Sequence, residues 1–246
     1  MSGERLLPSI EQSAVQNGLL AALPPAAFTR LAPHLQPVEL RLRQILNATD
    51  QPIEHAYFVE SGLTSMIALL EEGGSVEVGI VGREGVVGLP LVLGDDRADK
   101  DAMVQLAGSA LRLPAAVLCR AFDETDSLRD LLLRYMQAFH VQVSQTAACN
   151  GRHVLEERLA RWLLMTHDRA GGDAFLITQE FLADMLGVRR AGVTVAAGIL
   201  QRAGVIRYGH GRLAVLDRAG LEAASCECYG VARRRFERLL GRGAGK

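Results

Sequence analysis

The stretch that most constrains the fold of this chain runs from residue 178 to residue 212. Thr178 suits a helix N-cap, Phe181, Leu182, Met185 and Leu186 recur at helical spacing, and Gly187 supplies a stop. After a tight turn, a second helix starting near Arg190 puts Val193, Ala196, Ala197 and Leu200 on one apolar face and ends at Gly204. Its opposite face carries Arg190, Thr194, Gly198 and Gln201, a cation, a hydroxyl and an amide with no bulky hydrophobe. Two helices joined by a glycine turn read as a helix-turn-helix, and the polar face suits a DNA groove better than plain solvent. The plainer alternative is a buried helical hairpin, since apolar stripes of this spacing usually face a core.

The adjoining segment favours DNA. Residues 205–208 and 212–216 are two short alternating segments around Gly209, His210 and Gly211, a β-hairpin placed where a winged helix-turn-helix keeps its wing. Arg207, His210 and Arg212 would then meet phosphates. With Thr178, Arg189, Arg190, Thr194 and Gln201 they make up the expected DNA-binding set.

Charge falls on the same side. Residues 1–150 hold 11 Lys and Arg against 18 Asp and Glu, whereas residues 151–246 hold 16 against 10. The basic part is attracted to a polyanion and the acidic part is held away from it. No apolar run approaches the ~20 residues of a membrane span, and the N-terminus lacks the order of a signal peptide. A cytoplasmic location with no membrane contact is expected. Four scattered cysteines fit a reducing compartment better than a disulfide scaffold.

Further upstream the period changes along the chain. Short helices are expected over residues 10–15 and 25–31, before Pro33 and Pro37. From Val38 the pattern alternates, with strands expected near residues 38–42, 55–59, 66–70, 76–80 and 103–113, separated or interrupted by glycines. Such a run indicates an antiparallel barrel or sandwich. Helices are expected next over 115–122 and 127–150. In the second, Leu128, Leu132, Tyr135, Phe139, Gln142, Thr146 and Cys149 repeat at alternating spacings of four and three, which reads as a coiled-coil dimer seam. The alternative is a core helix packed on its own barrel. Gly151 should break this helix before another over 153–167, with Val154, Leu155, Leu159, Trp162 and Leu163 inward; Asp217 should cap a last pair over 218–225 and 231–240.

A glycine-rich β-roll, a long dimer helix and a C-terminal winged helix-turn-helix, in that order, resemble the Crp/Fnr family of bacterial transcription regulators over residues 17–221. The motifs that carry the likeness are VGREGVVGLPLVLG, EERLARWLL and LADMLGVRRAGVTVAAGIL. The resemblance implies an α+β fold: an N-terminal antiparallel, jelly-roll-like β-roll over 1–126, a dimerisation helix over 127–150 and a winged helix-turn-helix over 151–246. It implies a homodimer whose recognition helices enter successive major grooves of a palindromic site, ~34 Å apart, with double-stranded DNA and RNA polymerase as partners.

Relatives that bind cyclic nucleotides carry Gly-Glu-x-Gly and then Arg-Ser/Thr-Ala. Here Gly85, Val86 and Gly88 put a valine where the glutamate belongs, and Lys100 and Asp101 stand where Arg and Ser would be. Lysine cannot repeat the bidentate grip on phosphate, and Asp repels it. The pocket is therefore read as degenerate, with control by cyclic AMP not expected and an unknown small-molecule effector in its place, or none. On the recognition helix Arg190 keeps the family's first Arg, while Ala191 and Val195 replace its Glu and later Arg, leaving thymine methyls as their expected contacts.

No cofactor and no metal are assigned. Cys226 and Cys228 read as helix-end thiols, with a metal or redox pair as the alternative, and Cys149 and His153 lie on either side of Gly151. Haem ligation by His34, His55 or Cys119 is the weakest option. Nucleophile-elbow, zinc-protease and phosphate-loop signatures are missing, so no enzyme is expected. The reading from another class is a small-molecule or nucleotide-binding signalling module acting through a protein partner.

Overall fold

The computed structural model describes residues 10–241, so the outermost residues of the two expected end domains lie outside the described residues. Of the helix expected over 10–15, only a 3-10 turn forms, Gln12–Ala14. Two short helices come next, α1 (Gly18–Ala21) and α2 (Pro25–Leu31). Asn17 anchors α1 to the roll. Its side-chain oxygen accepts from the Leu19 and Leu20 amides, and its NH2 donates to the Val59 and Gly85 carbonyls at 2.9 and 2.8 Å. A fully buried amide with its donors and acceptor engaged stabilises where a bare one would cost.

Six strands make the roll: β1 (Gln36–Leu40), β2 (Ile45–Asn47), β3 (His55–Leu69), β4 (Ser75–Val81), β5 (Val86–Val87) and β6 (Asp101–Pro114). The sheet order is β1-β6-β3-β4, with β2 on β6 and β5 on β3, and all pairs are antiparallel. The segments 55–59 and 66–70, expected as separate strands, belong to one strand that bends at bulges between Val59 and Thr64. Gly62 sits at the bend with φ 84, a conformation that suits glycine. What sequence pattern marks as a break is here a corner.

Beyond β6 come α3 (Ala115–Glu124) and α4 (Asp126–Arg152). Gly151 does not break α4, which runs unbroken to Arg152; one exposed glycine in a last turn costs only about 1 kcal/mol. On α4 the residues Leu128, Leu131, Leu132, Tyr135 and Ala138 are buried in the roll's own core with Leu19, Phe28, Phe58 and Leu113. Each such leucine contributes about 1.5–3 kcal/mol of burial. The expected dimer seam of Leu128, Leu132, Tyr135, Phe139, Gln142 and Thr146 therefore faces inward. Gln142 accepts from the Ile80 amide at 2.7 Å, Phe139 packs on the roll, and Thr146 accepts from Arg161 at 2.7 Å. Heptad spacing marks a stripe but not what covers it, and here the same chain covers it.

The C-terminal unit holds α5 (Leu155–His167), β7 (Ala174–Leu176), α6 (Gln179–Leu186), α7 (Arg190–Arg202), β8 (Ile206–Gly209), β9 (Arg212–Val215), α8 (Arg218–Ala224) and α9 (Cys228–Leu240). Val154, expected inward, precedes α5 and is 60% exposed, while Leu159, Trp162 and Leu163 are buried. The unit shares a core with the roll, in which Leu63, Ile67 and Ile80 pack with Trp162, Leu163 and Leu186. Helix α9 then returns along α4 and places Phe236 edge-on to Tyr135 at 6.3 Å.

Candidate DNA-binding surface and effector pocket

Local rules build the helix-turn-helix. The Thr178 hydroxyl accepts from the Phe181 amide at 3.1 Å and starts α6; Gly187 ends it at φ 61. Arg189 caps α7 in extended conformation, and Val193, Ala196, Ala197 and Leu200 are buried beneath it. The wing is a two-residue hairpin. Gly209 pairs with Arg212, and both intervening residues, His210 and Gly211, have positive φ, as a type I′ turn requires. A third strand, β7, pairs with β9 and was not legible in sequence because three residues carry no period.

These elements leave Arg189, Arg190, Thr194 and Val195 exposed on α7, with Arg207, His210 and Arg212 exposed on the wing. A cleft lined by Thr178, Gln179, Glu180, Arg190, Tyr208 and His210 lies between helix and wing. Arg190 reaches Glu180 at 3.4 Å with both side chains in solvent, a pair worth about 0–1 kcal/mol that a phosphate or a guanine edge can displace. The Thr194 hydroxyl lies 2.9 Å from Gln179 Oε1. Gln201 is placed differently from the others. Its Oε1 accepts from the Tyr208 amide at 3.1 Å, so it ties α7 to the wing.

The residues read as a degenerate effector pocket separate in space. Val86, Gly88 and Lys100 line a cavity of about 460 Å³ between the roll and α4, with Met66, Val81, Leu89, Met136, Phe139 and Val143 also on its walls. Gly85 lies beneath Tyr135, where a Cβ would collide with the phenol ring. Asp101 accepts from both the amide and the hydroxyl of Thr49 at 2.8 Å, so it braces a loop. Lys100 is paired with its neighbour Asp99, which also lines the cavity. The walls are mostly apolar and the one lysine is already neutralised, which suits an apolar guest better than a phosphate.

Sequence reasoning missed the acids that join the roll to the winged unit. Glu84, beside Gly85, makes a buried ion pair with Arg169 at 2.6 Å, and Arg169 also donates to the Met165 carbonyl. Glu77 accepts from Ser65 at 2.5 Å and from the Trp162 indole at 2.9 Å. Burial pushes its carboxyl up to about 7, against the opposing pull of those hydrogen bonds and of Arg161 and Arg169. Only a contact between distant segments reveals such groups. The assignment of no metal also rested on local spacing: the fold brings Cys149, His153, Cys226 and Cys228 together where α4 ends and α9 begins.

A cationic helix of a helix-turn-helix and its wing are thus exposed on a unit that shares its core with the β-roll. Residues 157–224 match the family model of the Crp-like helix-turn-helix domain. The chain is 28% identical over 177 residues to the transcriptional regulator SdrP of Thermus thermophilus, covering 70% of this chain and 84% of that one. Its fold is similar to that of FixK2 from Bradyrhizobium japonicum, with a TM-score of 0.67, 19% identity and coverage of 78% and 98% of the two chains. A crystal structure assigned to the Crp/Fnr family from Eubacterium rectale gives a TM-score of 0.66 at 18% identity, with coverage of 90% and 99%. The chain carries a Crp-like helix-turn-helix domain over residues 157–224 and is similar, in sequence to a transcriptional regulator and in fold to regulators of the Crp/Fnr family. Among the described residues no helix is long and apolar enough to cross a membrane.

Proposed function

We propose that this regulator binds palindromic DNA as a homodimer in the cytoplasm and is not controlled by cyclic AMP. The observation that carries the reading is the joint display of Arg189, Arg190 and Thr194 on α7 beside Arg207, His210 and Arg212 on the wing, above a fully buried apolar face. The α7 residues would reach base edges and the wing residues phosphates. Dimerisation would use the outer face of α4. There Leu133, Gln137, His140, Ser144 and Ala147 are exposed at spacings of four and three, a second stripe left open by the inward one.

The test is selection of genomic fragments by the purified, ligand-free protein, followed by anisotropy titration of the recovered site at several salt concentrations. Nanomolar binding to a palindrome, two chains per site, with a steep salt slope is expected. Sequence-blind binding at every salt concentration, with or without cell extract as a source of effector, overturns the reading. For the roll, calorimetry with cyclic AMP should show no micromolar binding, and a micromolar isotherm overturns the claim of independence.

A further inference from the structure

Four side chains from two separate stretches of sequence meet at the C-terminal end of α4. Cys149 is in its last turn, His153 is the residue that ends it, and Cys226 and Cys228 flank the turn between α8 and α9. The Cys149 and Cys226 sulfurs are 3.5 Å apart, and Cys228 Sγ lies 3.5 Å from His153 Nδ1. All four ligand atoms lie within 4.8 Å of one another, and all three cysteines are buried. A sulfur separation of 3.5 Å is far too long for a disulfide, which needs about 2.05 Å. It is close to the edge of a tetrahedron with metal–sulfur bonds of about 2.3 Å, which works out at ~3.8 Å.

We propose that Cys149, His153, Cys226 and Cys228 bind one tetrahedral divalent metal ion of the zinc class. The surroundings are those such a site needs. Glu227 Oε2 lies 3.4 Å from His153 Nε2, the carboxylate partner that fixes the ring with Nδ1 turned to the ion. Gln145 donates to Cys228 Sγ at 3.1 Å. On binding, three thiols release their protons to solvent, and His153 ligates through Nδ1 while its Nε2 keeps a proton for Glu227. Three thiolates around a dication leave one net negative charge. The buried Arg161 guanidinium, which donates to Thr146 one turn from Cys149 and has no partner at its Nε among the described residues, supplies a neighbouring positive one. The four ligands converge on one point, as a single ion requires; a multi-iron cluster would spread them further apart. The ion would clamp the joint between α4 and α5 to the turn that starts α9, and so fix how the winged unit is carried.

The test uses the full chain, stripped by chelator under reducing conditions and titrated with Co²⁺. One Co²⁺ per chain is expected, with intense tetrahedral d–d bands and thiolate charge-transfer absorption that equimolar Zn²⁺ abolishes. Bound zinc should protect three of the four cysteines from alkylation and leave Cys119 reactive. Glu227→Gln should weaken metal affinity about 10–100-fold. Cys119→Ser should leave it unchanged, and Cys228→Ser should remove the charge-transfer band pattern. Because ligand variants can unfold, the wild-type titration decides. A folded wild-type chain that shows no thiolate charge transfer at stoichiometric cobalt overturns the proposal. So does protein that arrives with iron–sulfur absorption, or an affinity as sensitive to Cys119→Ser as to Cys228→Ser.

Discussion

The recognition surface and the roll's cassette loop stand at opposite ends of one question, how a chain meets a phosphate. On α7 and the wing the cations stay in solvent, and among the described residues Arg190 is held by one exposed pair with Glu180. In the roll, the charged groups of the cassette segments are paired within the chain, Glu84 in a buried ion pair and Lys100 in a partly exposed one. Lys100 is taken by Asp99, Asp101 by Thr49 and Glu84 by Arg169. Available charge is what a polyanion site needs, and committed charge is what a structural joint needs. Resemblance in fold therefore does not carry ligand chemistry from one domain to the other.

The contrast fails most visibly, if it fails, at Glu84→Ala. That substitution would leave the Arg169 guanidinium buried against the roll with only the Met165 carbonyl, at a cost of about 3–5 kcal/mol in stability. Chemical denaturation should show that loss, and Glu84→Met with Arg169→Met should recover most of it. If Glu84→Ala is neutral, the loop is not a joint. The same loop carries Val86, a wall of the cavity, so a guest seated there would press two residues from the domain contact.

Glu77 tests the same joint through pH. Its native carboxyl is raised, chiefly by burial, from 4.5 to about 7, so between these values the native state holds a proton that the unfolded chain has released. Its contribution to stability is therefore full below about pH 4.5 and is lost as pH rises towards about 7, by on the order of 3 kcal/mol. Denaturation midpoints across this range, read by Trp162 fluorescence, should fall in the wild type and stay flatter in Glu77→Gln. Equal slopes would remove Glu77 from the account.

On the DNA-facing side, Arg190→Ala should cost about 10–100-fold in affinity for the selected site, the worth of one bidentate base contact, with stability unchanged. Arg207→Ala should weaken all sequences alike and reduce the salt slope by about one phosphate. If Arg207 changed sequence preference and Arg190 did not, the roles assigned to helix and wing would be exchanged.

Legibility in the sequence tracks the range of the interactions. The caps at Thr178 and Asp217, the stop at Gly187 and the wing tip at His210 and Gly211 are local, and the structure places them where the sequence does. The stripe on α4 was visible, yet what it meets depends on the roll and on α9, so spacing alone assigned it to a partner. The Cys149 and Cys226 contact joins residues 77 apart in sequence, and Glu84 meets Arg169 across 85. No window of pattern spans such distances.

The smallest expected effect separates Gln201 from its neighbours. Sequence put it on the DNA-facing side of α7, but its side-chain oxygen is used by the Tyr208 amide, and Tyr208 in turn donates to the Ile177 carbonyl at 3.0 Å. Gln201 thus fixes the wing against the helix, and its effect on DNA passes through wing position. Gln201→Ala should lower affinity only about 2–5-fold, about 0.5–1 kcal/mol for one solvent-accessible hydrogen bond, with sequence preference unchanged. A shift in the preferred base at any position, read by repeating the selection with the variant, would place Gln201 in the groove and make the recognition surface one residue wider than its geometry indicates.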